Sequence, residues 1–302
     1  MSDDSGRVLP ATVIVPSRGR PDLLADTVES ILGGDELPAE IVVVDQSPAR
    51  NERVAQAASA PGSIVRYAHR PDLVGVSTAR NEASRIARER VLVFTDDDVF
   101  VERDWLRVVV ETVLADPEVL VSGRVLAVEG DRADGFAPSC IESDEPRLYE
   151  GRVWDDVLFS NNMAFAREVY DALGPFDERL GVGAPYRSAT DNDYCYRALE
   201  AGYRIRYLPE AIVHHRAFRP MTEYPKVMWN YGIGQGATLA KHADLQDRYT
   251  LHRLAESVSR RLRLAVAMRS ENRSLARGEG AYALGLVYGG ARWLLLERLR
   301  GR

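Results

Sequence analysis

The chain is poor in cysteine. Its 302 residues include two, Cys140 and Cys195, far apart and without a CxxC spacing. That pattern excludes a disulfide framework and a thiolate zinc site, and it fits a reducing compartment. Long apolar runs are missing as well: the best, Ala281 to Leu296, falls short of a membrane span, contains three glycines and carries Arg292. The first six residues, Met1 to Gly6, are polar and acidic and lack the form of a signal peptide. The expectation is a cytoplasmic protein, at most peripheral at the inner face of a membrane. Positive charge is not in surplus. Lys and Arg number 39 against 45 Asp and Glu, a formal net charge of -6, so no nucleic-acid partner is expected. There is no internal repeat and no low-complexity segment, which removes solenoids and disordered linkers from consideration.

What is present suits a soluble globular protein, with 45% hydrophobic and 28% charged residues. Strand and helix patterns alternate. Ala11 to Val15 is a short β-rich run, stopped by Pro16 and the polar loop Ser17-Arg18-Gly19-Arg20, and Pro21-Asp22 open a helix that Gly33-Gly34 close. Ile41 to Asp45 is a second strand, continuously apolar as a strand covered on both faces should be, and it ends on a carboxylate. A helix from about Glu52 to Ala60, a strand Ile64 to Tyr67 and a helix from Ser77 to about Arg88 lead to a fourth strand at Val91. Short connections between such units predict a doubly wound, mostly parallel sheet. Beyond a helix reaching Leu114 and an extended run Val119 to Val128, the pattern is lost from Glu129 to Arg152, which reads as a surface loop or lid. Order returns at Val157 to Phe165, and Thr190 caps a helix through Leu199. Strands follow at Arg204 to Tyr207 and Ala211 to Val213, the second ending in His214-His215. Phe218 to Arg302 is helical by pattern, with a stripe of Leu251, Leu254, Val258, Leu262 and Ala265 among many arginines. Such a tail suits an anionic membrane surface, a second subunit in a homo-oligomer, or plain solvation.

The fourth strand, Val91-Leu92-Val93-Phe94-Thr95, runs straight into Asp96-Asp97-Asp98. Carboxylates at a strand's carboxyl end stand where ligands bind in an open α/β sheet, and three in a row repel one another unless a cation neutralises them. Mg²⁺ or Mn²⁺ held by one or two carboxylates commonly completes its shell with substrate phosphate oxygens. The triplet therefore points to a metal and a nucleotide diphosphate together, with a solvated acidic turn as the plainer reading.

The succession VIVPSRGRPDLL, IVVVDQS, GVSTARNEA, VFTDDD, GPFDERL, TDNDYCYRALEAGYRI and PEAIVHH resembles the inverting family-2 glycosyltransferases of GT-A fold, over about Thr12 to His215. The resemblance implies a GT-A type nucleotide-binding α/β domain at residues 1–217, with a nucleotide half about 8–123 and an acceptor half about 124–217, followed by a helical C-terminal extension at 218–302. It implies Asp45 against the nucleoside and Pro16, Ser17 and Arg18 framing the base. Asp96 and Asp98 become the metal-binding DxD, with Asp97 between them a nucleotide contact, and His215 completes the metal shell. Arg80 and Asn81 face the diphosphate, or else Arg80 makes a surface ion pair with Glu82 or Glu89. Asn162, with Asn161, faces the sugar, the alternative being satisfied loop amides. Asp191 is the implied base, although Thr190 stands where relatives carry Glu; Asp193 is the alternative base, and His214 the weaker histidine. The implied donor is a nucleotide sugar, UDP-linked in the commonest case and GDP- or dTDP-linked otherwise, and the acceptor is an unidentified hydroxyl. Two rival readings are a nucleotidyltransferase acting on sugar phosphates, disfavoured by a first loop with arginines and one glycine, and a non-catalytic nucleotide-binding α/β module.

Overall fold

The computed structural model describes residues 7–128 and 135–298. The chain divides into two compact units. The first draws on Met1–Gly130, Ala137–Phe176 and Tyr194–Ala217, and the second on Asp131–Phe136, Asp177–Asp193 and Phe218–Arg302.

The first unit is built on a nine-stranded sheet. Its parallel half comes from the alternating units read in the sequence: β1 (Val8–Ser17), α1 (Pro21–Leu32), β2 (Leu37–Asp45), α2 (Glu52–Ser59), β3 (Val65–His69), α3 (Val76–Ile86) and β4 (Val91–Thr95). β1 lies between β2 and β4, and β3 lies outside β2, all parallel. Every residue of β4 is buried, which explains why its sequence is unbroken Val, Leu, Phe and Thr rather than alternating. The other half is mixed. It holds β5 (Val99–Val101), α4 (Trp105–Ala115), β6 (Val119–Ala127), β8 (Arg147–Tyr149), β9 (Asn162–Ala166), α5 (Arg167–Leu173) and β10 (Arg204–His215), while α6 (Thr190–Glu200) gives residues to both units. β9 sits antiparallel between β4 and β6, and β10 runs parallel to β6 and antiparallel to β5 and β8.

Two sequence expectations change in detail. The two short strands expected at 204–207 and 211–213 are one strand, β10, whose register against β6 shifts between Leu208 and Ile212 as it passes Pro209 and Glu210. The loop expected over Glu129 to Arg152 falls outside the described residues at 129–134. Its remainder is not patternless: Ile141 bridges Val125, and β8 adds to β10. The carboxyl ends of the parallel strands come out level, with Ser17 opposite Asp45 and Asp45 opposite His69.

The second unit contains β7 (Gly135–Phe136) paired with β11 (Arg219–Pro220), and three helices, α7 (Tyr224–Lys241), α8 (Tyr249–Ala267) and α9 (Arg273–Trp293). Its core gathers Leu180, Tyr186, Ile233, Ala237, Ala240 and Trp293. α7 and α9 approach at backbone distance. A Cβ on Gly236 would stand 2.1 Å from the Leu286 carbonyl oxygen, and one on Gly289 would stand 2.0 Å from that of Ile233, so side chains are excluded there. The expected stripe on α8 is only half covered, and Leu262 is exposed. Among the described residues, no helix is long and apolar enough to cross a membrane.

Candidate active site

β4 ends at Thr95, and the next three residues turn their carboxylates in different directions. Asp96 accepts a hydrogen bond from Arg80 Nη2 at 2.8 Å. Asp97 accepts from Ser17 Oγ at 2.7 Å and from Arg20 Nη1 at 3.0 Å. Asp98 accepts from the same Arg20 nitrogen at 2.6 Å, and its Oδ1 lies 3.3 Å from His215 Nε2. That contact is an ion pair without hydrogen-bond geometry, and Asp98 Oδ1 is buried with no hydrogen-bond partner.

Asp96, Asp98 and His215 each offer one ligand atom, and these atoms all lie within 4.8 Å of one another. His215 arrives at the end of β10, beside Val99 of β5, and the Arg216 backbone N–H that follows donates to the Asp98 carbonyl at 2.8 Å. Alternation along the strand sends the neighbouring His214 elsewhere, to Glu102 at 2.7 Å. Burial pulls the His215 imidazole down, but Asp98 and Cys140 beside it outweigh burial and push it up to about 10. Burial works against the Asp98 carboxylate too, and His215 and Arg20 nevertheless hold it below its ordinary value. Asp97 has weaker compensation: burial dominates Arg20 and pushes it up to about 6. Two carboxylates, one of them with a buried oxygen that makes no hydrogen bond, and one imidazole form the donor set of a small divalent cation, which would compete with the proton on His215. The residues present fit the group that the sequence implied.

Beside this cluster, Asp45 at the end of β2 is buried and held on both oxygens. Oδ1 accepts from the Ser47 N–H at 2.9 Å and from the Ser47 hydroxyl, and Oδ2 accepts from the Tyr67 hydroxyl at 2.7 Å. Burial and the bond to Asp45 keep the Tyr67 phenol protonated, well above its ordinary value. The Gly19 N–H donates to Ser47 Oγ at 2.7 Å, tying the loop after β1 to the end of β2. Pro16 and Ser17 are buried in that loop's stem, and Arg18 is exposed.

Other expected residues are engaged differently. Arg80 is not a surface residue paired with Glu82 or Glu89. It is 2% exposed, joined to Asp96, with Nε and Nη1 lacking hydrogen-bond partners. Asn81 is turned to the Phe176 backbone, donating to its carbonyl and accepting from its N–H, both at 2.9 Å. Asn162 is fully buried: its amide donates to the carbonyls of Arg124 and Ala211 at 2.9 and 2.8 Å and accepts from the Trp105 indole at 2.8 Å. Both of its N–H groups and its oxygen are used, so the expected sugar contact has no donor left to make it.

Asp191 and Asp193 belong to the second unit. Asp191 stands half-buried in the first turn of α6, accepting from the Asn192 N–H at 3.1 Å. Asp193 is fully buried, with Lys241 Nζ and His242 Nε2 each 2.8 Å from its Oδ1. An acid so compensated is a structural anion, which removes it as the alternative base.

The sequence reading missed Arg20, Ser47, Tyr67 and Cys140. Arg20 alone had a signal, a cation in a loop on the strand beside the acid triplet.

A family model described as Glycosyl transferase family 2 matches residues 12–173. A glucosyl-dolichyl phosphate glucuronosyltransferase of Haloferax volcanii is 28% identical over 216 residues, covering 69% of this chain and 69% of its own. A pre-mycofactocin glycosyltransferase of Mycobacterium tuberculosis is 29% identical over 245 residues, 77% of this chain but 48% of the relative, so the chain spans about half that protein's length. Among solved structures, a mannosyltransferase from Pyrobaculum calidifontis in complex with GDP-Man and Mn²⁺ superposes with a TM-score of 0.58 at 21% identity, covering 99% of this chain and 84% of that one.

Proposed function

The chain belongs to glycosyl transferase family 2, and on that premise we propose that it moves a sugar from a nucleotide-diphosphate sugar to an acceptor hydroxyl with inversion. One observation carries the metal-dependent part of the reading, the convergence of Asp96, Asp98 and His215 within 4.8 Å. The GDP-Man and Mn²⁺ of the Pyrobaculum structure support a nucleotide-sugar donor and a divalent ion. Mg²⁺ or Mn²⁺ is the proposed ion, and UDP- and GDP-sugars are the donors to test first, with dTDP-sugars third.

When bound, the cation supplies positive charge that stabilises the departing diphosphate. The chain's own residues do the rest. Asp45, oriented by Ser47 and Tyr67, receives the nucleoside, and Pro16, Ser17 and Arg18 frame its base. Arg80 fixes Asp96 in one rotamer. Arg20 and Ser17 hold Asp97 and Asp98 in place until the substrate arrives. Asp191 is the proposed base: it stands half-buried in the first turn of α6, and a carboxylate there is the group to take a proton from the acceptor hydroxyl.

Thermal melts test the donor side. UDP or GDP with Mn²⁺ should raise the midpoint by several degrees, since a ligand confined to the folded state stabilises it by mass action. Asp98→Ala should abolish the Mn²⁺-dependent part of that shift, and an undiminished shift would remove the metal assignment. Asp191→Asn should keep the shift and lower turnover about 10²–10⁴-fold; full turnover in that variant would remove the base.

A further inference from the structure

α9 is apolar where it should be polar. One of its faces packs against α7 through glycines. An outer stripe runs through Arg273, Arg277, Leu284, Tyr288 and Ala291 at spacings of three, four and seven, with Tyr288 at its margin beside Trp229 of α7, and continues to Leu295 in the π-helical turn that follows α9. All six are exposed, Leu284 at 65% and Leu295 at 63%, with Val287 beside them at 55%. The stripe is basic at the N-terminal end and apolar toward the C-terminal end. α8 and the turn after it lead into that basic end with a similar mixture: Leu262, Arg263, Val266 and Arg269 are exposed, Val266 is 75% accessible, and Arg263 pairs with Glu256 at 2.8 Å.

Charge is distributed unevenly along the sequence. Residues 218–302 hold 15 basic and 7 acidic side chains, whereas residues 1–217 hold 24 and 38. The acidic chain as a whole would be repelled by an anionic surface, and its helical tail would be attracted. A second copy of the chain offers only the same stripe, which holds arginines and apolar residues and no acidic complement to them.

From these faces we propose that the α8–α9 hairpin docks on an anionic lipid bilayer, with Leu284, Val287, Tyr288 and Leu295 entering the interfacial layer and Arg263, Arg269, Arg273 and Arg277 lying at lipid phosphate level. Tyrosine and leucine with adjacent arginines are the side chains that partition to that depth, and the helix needs no membrane-spanning length to do so. The surface is independent of the transferase reading.

The test uses the full chain and sucrose-loaded vesicles, one set of pure phosphatidylcholine and one with about 30 mol% phosphatidylglycerol. The protein should sediment with the anionic vesicles at least about tenfold better than with the zwitterionic ones, and about 0.5 M salt should reverse most of that difference. Each arginine near the surface is worth about fivefold in partition, so Arg269→Gln, Arg273→Gln and Arg277→Gln together should weaken binding about 100-fold. Leu284→Ser with Leu295→Ser should also release the protein, and the circular dichroism melt of the arginine variant, altered only at exposed positions, keeps the result readable if the leucine variant is unstable. Equal sedimentation with both vesicle types, no sedimentation with either, or retention by the folded arginine variant would overturn the proposal. So would sedimentation velocity showing a dimer that Leu284→Ser dissolves, because the stripe would then belong to a second copy.

Discussion

Asn162 and Asp98 are buried polar residues on the same unit with opposite fates. Asn162 has every side-chain donor and acceptor occupied, so it holds β6, β9, β10 and α4 together at one point. Asn162→Ala should leave the Trp105 indole N–H and two carbonyls buried and unpaired, costing about 2–4 kcal/mol in a urea titration while the donor KM stays unchanged. A raised KM with unaltered stability would return Asn162 to the sugar. Asp98 keeps an oxygen that makes no hydrogen bond in a comparably dry place, with His215 Nε2 3.3 Å away. Residue type and position made the acid triplet at the end of β4 legible in the sequence, because adjacent carboxylates at a strand end call for a cation, whereas His215 entered only through the family resemblance. The roles of Asn162 and Asn81 were not legible, since they depend on carbonyls and N–H groups supplied by chain 38 to 95 positions away. Arg20 showed only its charge and its place in the loop after β1; its reach to Asp97 and Asp98 follows from the register of β1 on β4.

At the scale of elements, strand and helix alternation up to β4 could be read from apolar runs and their stops, because parallel strands covered on both faces leave a strong signal. The antiparallel insertion of β9 leaves none, as nothing in its five residues names its neighbours. The helical tail was legible as helix but not as three helices with different packing. Its glycines look like helix weaknesses in sequence, yet at Gly289 the backbone of Ile233 occupies the space a side chain would need. Gly289→Ala should therefore separate α7 from α9 and lower stability by about 1–3 kcal/mol. Gly280→Ala is the control: a Cβ there meets nothing within 4 Å. Alanine's better helix propensity should leave that variant neutral or about 1 kcal/mol more stable. Equal melting temperatures for the two variants would contradict the close approach.

For the molecule as a whole, the charge division between tail and remainder was plain in the sequence, but the composition of the two units was not. Asp177 to Asp193 joins the tail because Leu180 and Tyr186 pack with Ile233 and Trp293, far along the chain. The same segment brings Asp177 to Lys241 at 2.8 Å and to Arg179 at 2.7 Å. Burial raises the Asp177 carboxyl, and Arg179 and Lys241 more than reverse that, holding it well below its ordinary value. A depressed acid contributes its stability above its unfolded value, about pH 4, and loses it as pH falls further. Asp177→Asn should cost about 2–3 kcal/mol at pH 7 and flatten the acid limb of a stability profile below pH 4; an unchanged acid limb would refute the assignment. The sheet order carries a further consequence, for biosynthesis. β4 and β6 are joined across β9, which leaves the ribosome some forty residues after β6. Until then a nascent chain holds the finished edge of β4 open to pairing with any passing strand, so the interval between those segments is when this protein most needs a chaperone.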